Sequence, residues 1–158
     1  MERLIKLLQM QLALYNELLE IAQQKKEFIV KNDIGSMKII TSHENSLINK
    51  IQKTEQELRE LILKIAKSPS VSTNELTLAE LINSINESNE KRQLNSLRKS
   101  LRSSMDEVKA LNERNQKLIN QSLEYMDYIL NLFRNSVSGP IFAGADEMPA
   151  QAVFEARG

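Results

Sequence analysis

The sequence predicts an all-α fold, an elongated antiparallel three-helix bundle or coiled coil with one short extra helix and a flexible C-terminal tail. Three observations predict it. Apolar residues recur three or four apart over most of the 158 residues, the spacing of one face of an α-helix. Only 4 Gly and 3 Pro occur, which leaves long stretches without a helix breaker. Leu, Ile, Lys, Glu, Gln and Asn dominate, whereas aromatics are 4% and Trp is absent. That composition suits long helices better than a compact aromatic core.

The first helix is read at about residues 2–31. Leu4, Leu8, Leu12, Tyr15, Leu19, Ala22 and Ile29 form its main stripe. Ile5, Leu7, Leu14 and Leu18 widen that stripe, so the helix should touch more than one neighbour. Asn32-Asp33 interrupts it, and Asp33 can cap the next helix by accepting from a free backbone N–H, with Gly35-Ser36 as a second possible start. The second helix is read at about 34–67. Its ladder is Met37, Ile40, Glu44, Leu47, Ile51, Thr54, Leu58, Leu61 and Ile65, with Glu44 and Thr54 as polar rungs that suit register control. The very short connection makes these two helices an antiparallel hairpin.

Ser68-Pro69-Ser70 ends the second helix, and a polar loop follows to Asn74. Thr77-Leu78-Ala79-Glu80 fits a capping box, opening a short helix placed at about 77–86. The polar stretch Asn83 to Asn89 reads as a hinge or as continuous helix. The last helix is read at about 89–134, with a ladder from Leu94 through Leu97, Leu101, Ser104, Val108, Leu111, Asn115, Leu118, Ser122, Tyr125 and Ile129 to Leu132. At 1.5 Å per residue it is roughly 65–70 Å long, against about 45–50 Å for each of the first two. The hairpin cannot cover all of it. The bundle therefore takes residues 1–135, and 136–158, with Gly139-Pro140, Gly144 and Pro149, is the predicted tail.

From Leu118 onward a second stripe joins the ladder: Ile119, Leu123, Met126, Leu130 and Phe133. With Leu118, Tyr125, Ile129 and Leu132 the apolar arc covers more than half the helix, a surface that must be buried on several sides. Met and Tyr suit an adaptable protein contact. The candidate client-binding residues are Leu118, Ile119, Leu123, Met126, Ile129, Leu130 and Phe133. Two plainer readings remain open: core covered by the first helix, or the seam of a homodimer.

Several function classes are disfavoured. The 21 acidic and 21 basic residues balance and no block of like charges stands out, which disfavours nucleic acid and an anionic membrane surface as partners, since both need a basic face. No Cys is present, which excludes disulfides, thiolate metal sites and Cys nucleophiles. No apolar run approaches about 20 residues, so no membrane insertion is predicted. The opening residues lack a charged n-region followed by a solid apolar stretch, so no signal peptide is predicted and the expected location is the cytoplasm. The lone histidine, His43, is followed by Glu44, but Leu47 breaks the zinc-binding His-Glu-x-x-His pattern. No Glu-x-x-His pair offers a di-metal site in a bundle, and no Gly-rich loop can cradle phosphate. Asn-x-Ser sequons at Asn86 and Asn120 are chance matches in a cytoplasmic chain. No enzymatic activity and no cofactor are expected.

Three places in the chain resemble the FlgN family of flagellar export chaperones. The first is the opening Gln11-Leu12-Ala13-Leu14-Tyr15-Asn16-Glu17-Leu18-Leu19, followed by Lys25-Lys26 and Val30-Lys31-Asn32-Asp33-Ile34. The second, Leu111-Asn112-Glu113-Arg114-Asn115-Gln116-Lys117-Leu118-Ile119, is similar to a Leu-Asn-x-x-Asn-x-x-Leu pattern in the family's last helix. The third is the Gly-containing tail after that helix. The resemblance implies a cytoplasmic chaperone that binds the C-terminal helices of hook–filament junction proteins. It would prevent their premature association and deliver them to the export gate protein FlhA. In the family a Tyr-Gly element after the last helix contacts FlhA; the comparable stretch here is Ile141-Phe142-Ala143-Gly144, so Phe142 stands there without the hydroxyl. The alternative function is a structural coiled-coil scaffold acting through homo-oligomerisation.

Overall fold

A computed structural model describes residues 1–66, 77–86 and 89–137. These residues form four α-helices and no strand: α1 (Glu2–Val30), α2 (Ile34–Ala66), α3 (Leu78–Ser84) and α4 (Asn89–Val137). The all-helical fold predicted from spacing and composition is the fold observed. The loop expected at 68–74 and the tail from 138 onward, Phe142 included, lie outside the described residues. The helix α4 runs to Val137, past the end at 134 expected from the ladder. The chain divides into two compact units, Met1–Leu118 and Ile119–Gly158.

Local chemistry sets each junction in the first unit. Lys31 ends α1 in a helical conformation, and Asn32 then takes a positive φ of 53°. Asn tolerates this left-handed region better than most residues. The Asn32 N–H bonds to the carbonyl of Ile29 at 3.1 Å and the Asp33 N–H to that of Phe28 at 3.0 Å, the double closure of a Schellman motif. Asp33 also starts α2: its carboxylate accepts from the Ser36 N–H at 3.0 Å and the Ser36 hydroxyl at 2.6 Å. One residue thus closes one helix and opens the next. The Ser36 hydroxyl, then its N–H, holds the Asp33 carboxyl below the usual carboxylate range. The capping box forms at α3, with Thr77 Oγ1 accepting from the Glu80 N–H at 3.3 Å and the Thr77 N–H donating to Glu80 at 2.8 Å. Helix α3 stops at Ser84, where Ile85 turns extended with ψ of 132°.

The helices α1 and α2 are antiparallel, because bonds that rise along α1 fall along α2. The Gln11 amide and the Tyr15 hydroxyl both donate to Glu55, whereas Lys25 pairs with Glu44. The helix α4 runs parallel to α1 in this unit: Ser104 donates to Asn16 and Asn115 donates to the carbonyl of Ala22. The core comes in two parts. Leu4, Leu8, Ile62, Leu81, Ile82 and Leu94 form one cluster, closed by the short α3. Leu18, Ile21, Ile40, Leu47, Ile51 and Val108 form the other. Between them in sequence, on all three long helices, lies a polar layer of Gln11, Tyr15, Asn16, Thr54, Glu55 and Ser104.

Candidate partner-binding site

The helix α4 changes character along its length. In the first unit its ladder is covered: Leu94 is 0% exposed and Val108 6%, and Ser104 and Asn115 are buried with partners on α1. Leu118, the last residue of that unit, is half-buried. In the second unit Ile119 is half-buried, and every large apolar side chain from Leu123 to Phe133 is exposed. Leu123 is 56% exposed, Tyr125 64% and Leu130 54%. Met126, Ile129, Leu132 and Phe133 are also exposed.

These side chains lie together because of helical spacing. At about 100° per residue, Leu132, Tyr125, Ile129, Phe133, Met126, Leu130 and Leu123 fall in that angular order within an arc of about 180°. The half-buried Ser122 is the one polar position inside the arc. Asn120, Glu124 and Asn131 occupy the opposite side, whereas Asp127 and Arg134 flank the Leu123 edge. The stripe is therefore apolar apart from Ser122, with Asp127 and Arg134 beside its Leu123 edge and Glu124 on the far face. Its chemistry is the burial of apolar surface against another apolar surface, which contributes roughly 25 cal/mol per Å² before ordering costs.

The structure brings the predicted residues Leu123, Met126, Ile129, Leu130 and Phe133 into one exposed arc of the second unit. Leu118 belongs to the first unit and is half-buried. Leu123 to Phe133 thus differ from the buried members of the two core clusters, which fall below one-tenth exposure. Sequence reasoning missed one neighbour, Tyr128, which is 59% exposed. It sits beside Leu132 at the edge of the arc, three residues after Tyr125. The Tyr-x-x-Tyr spacing was the available signal.

Other polar groups have local roles. His43 is exposed on α2, with Nε2 3.7 Å from Glu17 of α1. Glu44, read as a register rung, is buried against Lys25 at 2.7 Å. Thr54, the other polar rung, donates to the carbonyl of Lys50 on its own helix at 2.9 Å. Burial, then the charge of Glu55, then the bond to Glu55 push the Tyr15 hydroxyl up to about 12. A surface furrow along α2 is lined by Ile34, Met37, Lys38, Thr41, Ser42 and Asn45. Among the described residues no group of three or more His, Asp or Glu is placed to hold a metal. None of the described helices is long and apolar enough to cross a membrane.

A family model described as FlgN protein matches residues 1–144. No curated protein and no solved structure matches the chain.

Proposed function

The chain belongs to the FlgN family of flagellar export chaperones, and from that premise we propose that its clients are hook–filament junction proteins, bound through their C-terminal helices on the Leu123–Phe133 stripe. The observation that carries this reading is the exposed double ladder of the second unit. A client's amphipathic helices present the matching apolar faces, in the manner of helix-in-groove recognition. Ile119, of the same unit, extends the surface at its N-terminal end. Covering the client's apolar seams keeps clients from associating early. The chaperone works in the cytoplasm and hands its client to the export gate protein FlhA, with Phe142 as the gate-contacting aromatic. Its chemistry is binding and release, with no catalysis and no cofactor.

The test is a binding measurement with the C-terminal segment of a hook–filament junction protein and the full chain carrying Leu123→Asp and Leu130→Asp together. Binding falls by at least roughly a hundred-fold, as expected for two carboxylates desolvated at an apolar contact. Helix content of the free chain stays unchanged, because both positions are already exposed. Retained client binding, or unfolding of the free variant, defeats the reading. A gate-binding assay with Phe142→Ala separates delivery from client capture. The second reading, a scaffold that acts through its own oligomer, is favoured by the same exposed stripe. It requires a stable oligomer in sedimentation without any client, one that the double substitution dissolves.

A further inference from the structure

The short helix α3 closes the most tightly buried part of the first unit. Leu4, Leu8, Ile82 and Leu94 are each 0% exposed, and all four belong to the cluster in which α3 meets the long helices. Leu4 and Leu8 come from α1, Ile62 from α2 and Leu94 from α4, so the three long helices form an apolar groove that Leu81 and Ile82 of α3 fill. Yet α3 has only seven residues, about two turns. A helix that short has no stability of its own in water. Its capping box and the Ser84 bond to the Leu81 carbonyl at 2.7 Å are internal to the segment. They keep it helical but do not hold it in the groove. Docking comes from the apolar side chains and from Lys91 of α4, whose ammonium donates to the Ile85 carbonyl at 3.0 Å.

The long helices are tied together independently of α3. Gln11 with Glu55, Lys25 with Glu44 and Ser104 with Asn16 join α1, α2 and α4 directly. The polar layer around Glu55 also stands between the α3 cluster and the cluster of Leu18, Leu47 and Val108. The groove itself is covered incompletely: Ile5, Leu61, Ile65 and Leu97 pack against the cluster but stay half-buried. A longer helix on the same seat buries more of that rim, and apolar burial favours it over α3.

We propose that α3 is a displaceable latch: it opens while the three long helices stay packed, and the groove of Leu4, Leu8, Ile62 and Leu94 then seats an amphipathic helix of a partner. The occupant's chemistry is that of α3 itself, with Leu or Ile at i, i+3, i+4 and i+7, the spacing of Leu78, Leu81, Ile82 and Ile85. It is extended to about three turns so that it reaches the rim. The latch lies wholly within the first unit and does not rest on the reading of the Leu123–Phe133 stripe.

The chain contains no Cys, so a single introduced thiol reports opening at its own position. Leu94→Cys puts a thiol on the floor of the groove, with Leu8→Cys in its place if that variant does not fold. Leu47→Cys puts one in the second cluster, at a position 1% exposed. Maleimide labelling of the full chain should be at least about ten-fold faster in the groove than at Leu47→Cys, and nearly independent of low urea, because local opening exposes little surface. Thr77→Ala removes the cap of α3 and should speed groove labelling about five-fold, leaving Leu47→Cys unchanged. The docking probe is a synthetic helix of about three turns with Leu at the apolar spacing of α3. It is offered to the chain carrying Leu123→Asp and Leu130→Asp, so that the stripe does not capture it. The probe should slow groove labelling and bind about five-fold tighter when Thr77→Ala is added, since the open form is then more populated. Equal labelling rates with the same urea dependence at both positions, or equal acceleration of both by Thr77→Ala, overturn the proposal. So does a probe that fails to bind, or that binds without protecting the groove thiol.

Discussion

The side-chain amide of Asn115 on α4 donates to the backbone carbonyl of Ala22 on α1 at 2.8 Å, in a site where Asn115 is only 3% exposed. The amide oxygen of the same residue has no hydrogen-bond partner among the described residues. A polar residue on a ladder position, half satisfied, is a device for fixing register at a cost in stability. It ties α4 to α1 at one height near the end of the first unit.

Asn115→Leu should therefore stabilise the bundle by about 1 kcal/mol, since an unsatisfied buried acceptor is removed and apolar surface is gained. Denaturant unfolding measures it. A loss of more than about 1 kcal/mol would show that the amide contributes net stability through its bond to Ala22.

The Lys25–Glu44 pair behaves differently, because both partners are largely buried and bonded at 2.7 Å. Glu44→Ala leaves an ammonium without its counter-charge in a half-dry site and should cost about 2–3 kcal/mol. The double change Lys25→Met with Glu44→Leu should recover most of that loss. A double-mutant cycle showing no coupling between the two positions contradicts this account.

Apolar truncations should divide the chain at the unit boundary. Leu4→Ala, at a fully buried position of the first cluster, should cost about 2–5 kcal/mol. Leu123→Ala in the second unit removes a side chain that is 56% exposed and should change stability by about 0.5 kcal/mol or less. Equal losses at the two sites would mean that the stripe is packed in the free protein.

The Tyr15 hydroxyl titrates near 12 rather than 10, pushed up by burial and by Glu55. A folded-state value raised above the unfolded one contributes stability that is fully present below about pH 10 and is lost as pH rises through 12. An ultraviolet titration of the native protein should thus show a phenolate that forms late, and Tyr15→Phe should remove it. Glu55→Gln should bring that titration back toward the ordinary value. Unchanged titration in Glu55→Gln would leave burial as the whole cause.

The fold was largely legible because helical spacing reports on one chain at a time. The ladder of α2 named Glu44 and Thr54 as polar rungs, and both are buried. Their partners were not legible. Lys25 lies 19 residues from Glu44 in sequence, and nothing in a periodic pattern says which lysine of the facing helix meets which carboxylate. Thr54 bonds back to its own helix at Lys50, a local alternative that the ladder does not distinguish from a cross-helix bond. The left-handed Asn32 was also hidden, since Asn32-Asp33 signals a break without saying how the carbonyls before it are satisfied. At the candidate site the apolar positions were readable from Leu118 onward, whereas Tyr128 fell off both ladders.

What the sequence determined alone was the helical class, the antiparallel hairpin, the caps at Asp33 and Thr77, and the face of each helix that must avoid water. These follow from spacing, turn chemistry and connection length, which are local properties. Tertiary structure decided which apolar faces find a partner within the chain. Val108 is closed over by Leu18 and Leu47, whereas Leu123 and Leu130 are exposed, although all three sit at comparable helical spacing. Periodicity records that a surface is apolar; only the positions of the other helices determine whether it is covered. That difference separates the core of this chaperone from its proposed binding surface.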